Sequence, residues 1–371
     1  MPTAVHISFS ENKGDLFQNF NYRCFTILAA RHPGHHFIFV FDKPFDQSVI
    51  IHDNITAVLL PPQIKNRLLS WYWYNYKIPR LLIRYNADIF ISDGNICSLR
   101  TAVKQCMILP DLSFLQKENL FSKGELKYLN KYFRRFVAKA ECIAVTNQYA
   151  GDLLAENFPQ TKSKIHPIGY GSNELVKKFN DEEIRLIKEK ATEGKEYFLC
   201  YITAASAPNT TVLLKAFSAF KKRQLSNMQL VLLLSDSQKE NPVKDFDNYK
   251  YRHEVKVIAS PTTESAAEIT AAAYAAVYLP SIKIMEDPGL QALKNNIPLI
   301  TADNEFCKTI YHDAALYTIT AEQNIAAQLM LVYKDENLRN DLINQGRQLS
   351  TAFSWHNTAS KLWKALTAST Q

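Results

Sequence analysis

Two patterns of apolar residues alternate along the chain. Short continuous apolar runs, typical of parallel strands buried on both faces, alternate with stretches whose apolar residues recur at helical spacing. The runs that predict strands are AVHISF, HFIFVFD, ITAVLL, ADIFISD, QCMILPD and ECIAVTN in the first half, and YFLCYI, MQLVLLLS, VKVIAS, AAVYLP, IPLITAD and AALYTI in the second. This alternation predicts two doubly wound α/β domains.

The pattern is interrupted at IHPIGYGSNE (165–174), where proline and glycine break the periodicity. We therefore expect a Rossmann-like domain over 1–173, a second over 174–352, and a terminal helix over 353–371 capped by Ser354 or Thr351. Two such domains place a binding site in the cleft between them, at the carboxyl ends of the strands. That arrangement suits a transferase that uses a nucleotide sugar, or a two-domain binding protein of another kind.

Length and cysteine usage agree with this division. A chain of 371 residues is too long for a single core. The six cysteines show no C-x-x-C spacing, so we expect reduced, buried thiols in a cytoplasmic protein rather than a disulfide framework. The start, MPTAVHISFSENKGD, does not have the pattern of a signal peptide, and no apolar run is long enough to span a membrane.

Positive charge is unevenly distributed along the chain. Residues 1–170 contain 20 Lys and Arg against 13 Asp and Glu, whereas residues 171–371 contain 23 of each kind. Part of the excess recurs every four residues along one predicted helix, at Lys123, Lys127, Lys131, Arg135 and Lys139. This basic stripe suits an anionic membrane or a lipid-linked acceptor, but an ordinary solvated helix face has the same pattern, and both interpretations stay open.

An aromatic segment precedes this helix. In RLLSWYWYNYKIPRLLIRY, Trp71 and Trp73 lie close to Lys77 and Arg80. Rings beside cations suit a membrane interface, sugar stacking or a partner surface, although such rings also fit a core. We group Trp71 and Trp73 with the basic stripe as a membrane or acceptor face. Charge alone would allow nucleic-acid binding, but no recognition motif accompanies it, so no nucleic-acid partner is expected.

A polar loop between two apolar runs is the main candidate for a ligand site. In AAVYLPSIKIMEDPGLQALKNNIPLI the order is strand, loop, helix and strand, with Pro288 opening the helix. This layout directs backbone N–H groups of a helix N-terminus at a ligand. The candidate side chains are Lys283, Glu286, Asp287 and Gln291.

Several longer segments, in their order and spacing, resemble the family 4 (group 1) glycosyltransferases over nearly the whole chain. They are LPDLSFL (109–115), AECIAVTNQYAGDLL (140–154), IHPIGYGSN (165–173), EYFLCYITAASAPNTTVLLKAFSAFKKR (196–223), the loop segment above, DAALYTIT (313–320) and FSWHNTASKLWKAL (353–366). The resemblance implies a GT-B fold, in which two Rossmann-like domains face each other across a cleft and the terminal helix crosses back to the first. It also implies an acceptor site in the first domain, a nucleotide-sugar site in the second, and transfer with retention without an obligatory metal.

The donor positions implied by this resemblance depart from the usual residues of the family. Members usually carry two glutamates here, the second holding the donor ribose, and Lys283 and Gln291 occupy those positions. Glutamine lacks the charged, two-acceptor grip of a carboxylate, and lysine has the wrong sign for an oxocarbenium-like centre but suits phosphate. Backbone N–H groups around Gly289 and Leu290 would meet the diphosphate.

A second departure lies in ITAASAPN. Ile202 stands where the family has a glycine, and Ala207 and Pro208 stand where it has an Arg-Lys pair. Such cations neutralise the departing diphosphate. Asn209 remains at its family position, and we expect it to contribute to the donor site and to cap the following helix.

A third departure lies on the acceptor side. Pro110 stands where the family has a histidine, while Asp111, the candidate catalytic residue, remains. Three sites have thus lost charged or flexible residues while the packing residues around them persist. The DFD at 245–247 resembles a metal-binding Asp-x-Asp but lies in a polar loop, so no metal or other cofactor is expected.

These observations lead to two expectations. The first is a retaining glycosyltransferase of weakened activity that transfers a sugar from a nucleotide sugar to a glycan or lipid-linked acceptor in polysaccharide or cell-envelope biosynthesis. It would act in the cytoplasm or at the inner face of the cell membrane. The alternative is a non-catalytic homologue that serves as a scaffold or regulator of an active glycosyltransferase. Stabilisation by nucleotide ligands distinguishes the two.

Overall fold

The computed structural model describes residues 2–6, 18–45, 50–172, 179–235, 246–284 and 288–370. The chain forms two compact units. The first comprises Met1–Gly171 together with Ser354–Gln371, and the second comprises Ser172–Phe353.

The first unit is built on a parallel sheet. Its strands are β1 (Pro2–His6), β2 (His36–Phe41), β3 (Ile55–Leu59), β4 (Ile89–Asp93), β5 (Lys104–Leu109), β6 (Cys142–Val145) and β7 (Ile165–Pro167). Its helices are α1 (Gln18–Arg31), α2 (Arg67–Tyr72), α3 (Ile78–Arg84), α4 (Lys123–Lys139), α5 (Gln148–Asn157) and, from the end of the chain, α13 (Trp355–Thr370). The strand order β3-β2-β1-β4-β5-β6-β7 reverses direction between β1 and β4.

The second unit repeats this plan. Its strands are β8 (Tyr197–Ile202), β9 (Gln229–Leu234), β10 (Val255–Ala259), β11 (Ala275–Tyr278), β12 (Leu299–Ala302) and β13 (Ala315–Thr318). Its helices are α6 (Asp181–Thr192), α7 (Thr210–Gln224), α8 (Thr263–Ala271), α9 (Pro288–Lys294), α10 (Glu305–Tyr311), α11 (Glu322–Lys334) and α12 (Glu336–Ser350). The parallel order β10-β9-β8-β11-β12-β13 reverses between β8 and β11.

Every apolar run named from the sequence contains a strand, so the predicted α/β class is confirmed. The central strands are buried on both faces, as in β8 and β9, where every residue is buried. Such strands require continuous apolar sequence, which is why the pattern located them. Strand β7 was not predicted, because its three residues, Ile165–Pro167, include a histidine and a proline and form no continuous apolar run.

Two further expectations concern cysteines and membrane helices. All six cysteines are buried and free, which confirms the predicted reduced thiols, and burial raises the pKa of Cys97 to about 12. Within the described part of the chain, no helix combines the length and apolar character needed to cross a bilayer.

The terminal helix α13 packs against α1 within the first unit. Ser354 is its cap, because Ser354 Oγ accepts the backbone N–H of Asn357 at 3.1 Å. The Trp363 indole stacks on the His32 ring with 4.0 Å between centroids. The Thr351 hydroxyl, the alternative cap, donates instead to the Gln348 carbonyl in the preceding helix.

Gly171→Ala is expected to destabilise the first unit, because a Cβ atom at this position would lie 2.2 Å from the Trp355 indole. Trp355 is buried, and overpacking of this kind typically costs about 1–3 kcal/mol. Thermal unfolding should therefore show a midpoint several degrees lower than that of the unmodified protein.

Gly124→Ala is the matched control for this change. A Cβ atom at Gly124 would meet nothing within 4 Å, and alanine favours the helix in which it lies. Its melting temperature should not fall, and equal melting temperatures for the two variants would contradict the packing argument.

Candidate functional site

The candidate donor site lies in the second unit, where the strand order reverses between β8 and β11. Open α/β sheets bind ligands at the carboxyl ends of strands at such a reversal. Here the loops after the two strands are joined directly. Ser281 donates to the Ala205 carbonyl through its backbone N–H at 2.8 Å and its hydroxyl at 3.0 Å. Part of the edge is thus bridged by the protein's own hydrogen bonds.

Asn209 forms another bridge and corrects a prediction. Its side-chain Nδ2 donates to the Leu279 carbonyl, just beyond β11, at 2.8 Å. In the structure described here this side chain makes no capping bond to α7, so the predicted cap is wrong. A 3-10 turn, Ala207–Asn209, leads the chain into α7, and the amide reaches across to the neighbouring strand instead.

The turn after β8 carries no charged side chain, and most of its polar groups form hydrogen bonds within the turn. The Thr203 N–H donates to Ser206 Oγ at 2.9 Å, and the Ser206 hydroxyl donates to the Tyr201 carbonyl at 2.8 Å. The Ala207 N–H donates to the Thr203 carbonyl at 2.8 Å. Ile202 is buried beside this turn and lines a small cavity with room for about one water molecule. The backbone donors that could face a diphosphate are therefore already engaged by the turn itself.

The helix α9 places the predicted donor residues Gly289 and Leu290 against the core. A Cβ atom at Gly289 would lie 2.2 Å from the Tyr311 hydroxyl oxygen, so glycine is required here for close packing. The Leu290 side chain is fully buried. Only the backbone of these two residues could therefore meet a ligand.

Gln291 and Lys294, on the same helix, both contact Ser172, the first residue of the second unit. Gln291 Nε2 donates to Ser172 Oγ at 3.3 Å, and Lys294 Nζ donates to the Ser172 carbonyl at 3.0 Å. The Gln291 side chain is partly exposed, and its amide oxygen has the chemistry to accept a hydrogen bond from a ligand hydroxyl.

Lys283 is partly buried in the loop after β11. Burial raises the pKa of the Cys307 thiol to about 11, although hydrogen bonds with Thr301 and Asn304 and the positive charge of Lys283 act to lower it. Glu286 and Asp287 lie outside the described residues, as does Asp245 of the DFD segment.

In the first unit, Asp111 follows β5 at the carboxyl edge of the sheet. Its Oδ1 accepts the Ser113 N–H at 2.6 Å, and its carbonyl accepts Asn95 Nδ2 at 2.9 Å. Burial raises the pKa of this carboxyl, and the hydrogen bonds from Ser113 oppose that rise. The group is positioned by its neighbours before any ligand binds.

The basic stripe lies on α4, as the spacing predicted. Lys123, Lys127, Lys131 and Arg135 are exposed and Lys139 is partly buried, while the opposite face, with Leu129, Phe133, Phe136 and Val137, packs into the core. A capping box formed by Ser122 and Glu125 begins the helix. Arg67 of α2 pairs with Glu125, so the first turns of the two helices adjoin.

Trp73 corrects the predicted membrane or acceptor face. It is fully buried and donates through Nε1 to the Leu60 carbonyl at 2.7 Å, so its assignment to the surface is wrong. The reason is a π-helical turn, Trp73–Lys77, which directs three consecutive residues from Trp73 into the core. Trp71 is partly exposed, and the Arg100 guanidinium lies 5.7 Å from its ring centroid.

His6 was not identified from the sequence. It ends β1 at the reversal of the first sheet, is 3% exposed, and contacts the Tyr74 hydroxyl through Nδ1 at 2.9 Å. Its ring centroid is 4.6 Å from that of Trp73. Burial lowers the pKa of His6 to about 3, so the ring is neutral at physiological pH. Its position at the end of the first predicted strand could have marked His6 as a candidate site residue.

The geometry defines an α/β protein with a polar strand edge in each unit, and comparison with known proteins assigns a family. Residues 181–349 match the family model for glycosyl transferases group 1. This segment lies within the second unit. The match confirms, over this segment, the resemblance predicted from the sequence. A comparison with curated proteins finds no significant match.

Solved structures extend the similarity of fold to the whole chain. A glycosyltransferase from Rickettsia africae has a TM-score of 0.71 and 12% identity, with 99% of this chain and 98% of that chain covered. Alr3699/HepE of Anabaena, solved with UDP-glucose, has a TM-score of 0.71 and 12% identity over 99% of both chains. WaaG, a glycosyltransferase involved in lipopolysaccharide biosynthesis, has a TM-score of 0.68 and 12% identity over 98% of both. These similarities confirm the GT-B fold.

Asp111→Asn is expected to stabilise the protein at neutral pH. Because the folded-state pKa of Asp111 is raised, its protonated carboxyl stabilises the fold at low pH, and this contribution is lost as the pH rises through the raised pKa. Asparagine keeps an acceptor for the Ser113 N–H without a charge, so the melting temperature should rise at pH ~7 and the gain should vanish below about pH 4.

The control is Asp88→Asn, because Asp88 belongs to the same unit and is exposed. This change should leave the melting temperature nearly constant at both pH values. A gain for Asp111→Asn that persists undiminished at low pH would contradict the proposed cause.

Proposed function

We propose that this protein is a retaining glycosyltransferase of low turnover that transfers a sugar from a nucleotide sugar to a glycan or lipid-linked acceptor in polysaccharide or cell-envelope biosynthesis. The observation that carries the proposal is the group 1 match over 181–349, which covers the strand reversal where Lys283 and Gln291 lie. The related folds of HepE, solved with UDP-glucose, and of WaaG, involved in lipopolysaccharide biosynthesis, support the choice of donor and pathway class.

Each donor residue has a proposed role. Gln291 accepts a hydrogen bond from a ribose hydroxyl, and Lys283 contacts a phosphate oxygen as a point charge. Backbone N–H groups around Gly289 and Leu290 face the diphosphate. Asn209 contributes by holding the two strand ends together. The donor enters as a substrate, and the proposal requires no resident metal or other cofactor.

Low turnover follows from the neutral turn after β8. A departing nucleoside diphosphate gains negative charge, and cations that face it usually supply much of the rate enhancement. Ala207 and Pro208 supply no charge there, and the nearby Ala205 carbonyl is bound by Ser281. Lys283 is the cation that remains for this purpose on the described part of the loop after β11.

A second function is favoured by the same bridging contacts. Hydrogen bonds from Ser281 to Ala205 and from Asn209 to Leu279 hold the loops of the donor edge together without a ligand. A protein in which this closure is permanent would serve as a non-catalytic scaffold or regulator of an active glycosyltransferase. Such a protein would act through its surface. Co-purification with an intact glycosyltransferase would support this scaffold function.

Gln291→Glu should increase both nucleotide-sugar binding and turnover, because a carboxylate offers two charged acceptors to the ribose. The Ser172 hydroxyl can donate to this carboxylate, so the local contact survives the change. Lys283→Glu should instead lower turnover, because it replaces the cation that contacts the phosphate with a negative charge. The measurements are thermal shift across nucleoside diphosphates and nucleotide sugars, and sugar transfer with the ligand that binds.

Gln345→Glu is the matched control, since Gln345 is exposed on α12 of the same unit. It should change neither binding nor turnover. If no nucleotide at millimolar concentration shifts the unmodified protein or the Gln291→Glu variant, the transferase proposal fails and the scaffold function gains support. Lower activity of the Gln291→Glu variant, or higher activity of the Lys283→Glu variant, would contradict the roles assigned to those positions.

For its location, we propose peripheral binding to the cytoplasmic face of the cell membrane through α4. Lys127, Lys131 and Arg135 present a row of exposed positive charge, and no ion pair with them occurs among the described residues. Leu68 of α2, which adjoins the start of α4, is 82% exposed. Basic side chains beside an exposed apolar one are suited to an anionic bilayer surface.

Replacement of Lys127, Lys131 and Arg135 by glutamine should abolish sedimentation with anionic vesicles, because each basic residue contributes about 1 kcal/mol at such a surface. The control replaces Lys190, Lys222 and Lys334 by glutamine, which removes the same charge from exposed sites on the second unit. Equal loss in both triple variants, or equal binding to neutral vesicles, would exclude a specific membrane face.

A further inference from the structure

The carboxyl edge of the first sheet carries buried polar atoms that have no hydrogen-bond partner among the described residues. His6 Nε2, Asn21 Oδ1 and Asn95 Oδ1 are buried atoms that lack a hydrogen-bond partner in the structure as described. The three residues are 3%, 1% and 9% exposed. Buried polar atoms are nearly always paired, so a group of unpaired ones at one sheet edge needs an explanation.

The fold places these residues at one edge of the sheet. His6 ends β1, and Asn95 follows β4, the neighbouring strand on the other side of the reversal. Asn21 on α1 donates Nδ2 to the His6 carbonyl at 3.1 Å. Ligands of open α/β sheets bind outside the carboxyl ends of the strands at such a reversal.

Each side chain is held in position by its other polar atom. His6 Nδ1 contacts the Tyr74 hydroxyl, Asn21 Nδ2 is bound to the His6 carbonyl, and Asn95 Nδ2 is bound to the Asp111 carbonyl. The second atom of each side chain is left over, and two of the three are amide oxygens that accept hydrogen bonds. A set of fixed side chains, each with one unused atom, is the arrangement expected of a preorganised binding site.

We infer that His6, Asn21 and Asn95 form a subsite for the hydroxyl groups of a neutral sugar. Hydroxyls donate to amide oxygens and can either donate to or accept from an imidazole nitrogen, so they match all three unused atoms. An anionic ligand does not match them. His6 is neutral because burial lowers its pKa to about 3, the two amides carry no charge, and Asn95 Nδ2, the donor of that amide, is already bound to the backbone carbonyl of Asp111.

The subsite rests on the proposed function only where its ligand is taken to be the acceptor. In that case the acceptor end is an uncharged sugar, and not a uronic acid or a sugar phosphate. Binding of a neutral sugar to the first unit can be measured without any nucleotide, so the two proposals fail separately. A nucleotide-induced thermal shift without sugar binding removes the subsite alone, whereas sugar binding without any nucleotide response removes the transferase alone.

The test is saturation-transfer NMR on the full chain with methyl glycosides of glucose, galactose and mannose, beside glucuronate and glucose 6-phosphate. At least one neutral glycoside should bind at about 10 mM, a concentration that detects millimolar affinity. The acids should give signals at least about tenfold weaker, since they would bury a charge without a partner. Equal or stronger signals from the acids, or none from any neutral glycoside, would overturn the inference.

Variants then test whether the sugar binds at this edge of the sheet. In the His6→Asn variant, the side-chain amide can still contact the Tyr74 hydroxyl in place of His6 Nδ1, but no atom takes the position of His6 Nε2. This variant should therefore bind the sugar about tenfold more weakly, because one hydrogen bond is lost. Asn95→Ala should weaken it similarly. Thr3→Val is the control, because Thr3 Oγ1 is also buried and unpaired but lies at the opposite end of β1. Unchanged binding in folded His6→Asn and Asn95→Ala, or equal loss in Thr3→Val, would exclude a site at this edge.

Discussion

Burial of both faces of two parallel sheets is the constraint on which the rest of this structure depends. Strands such as β8 and β9 have no exposed residue, so their interiors accept only apolar side chains and polar chemistry moves to the strand ends. Because all strands of a sheet run in one direction, their carboxyl ends meet at a single edge. In the first unit that edge carries His6, Asn95 and Asp111, and in the second it carries Asn209 and Ser281.

The donor edge shows how neutral hydrogen bonds can replace charge. The turn from Thr203 to Ala207 engages its own backbone donors, and Ser281 occupies the Ala205 carbonyl. Such a turn is stable without a ligand, because it leaves no concentrated positive charge that a diphosphate must neutralise. Under the proposed function, the same property would withhold stabilisation from a transition state in which a diphosphate departs.

Charge in the first unit is divided between two places. The exposed stripe of α4, with Lys127 and Arg135, attracts anions, whereas the sheet edge combines the neutral ring of His6 with the carboxyl of Asp111. An acceptor whose carrier is anionic and whose sugar is neutral would satisfy both. This division could not be read from the net charge, because burial, and not composition, makes His6 neutral.

Apolar periodicity alone located the strands, the helix α4 and its exposed face, since those features depend on residues close together in the chain. The departures at Lys283 and Gln291 were also visible there, because residue type limits the hydrogen bonds that a side chain can make. Contacts between residues that are distant in the chain could not be predicted from the sequence. Asn209 binds a carbonyl 70 residues away, and a π-helical turn buries Trp73, which composition had suggested for the surface. Only packing of the folded chain decides which polar atoms find partners and which remain for a ligand.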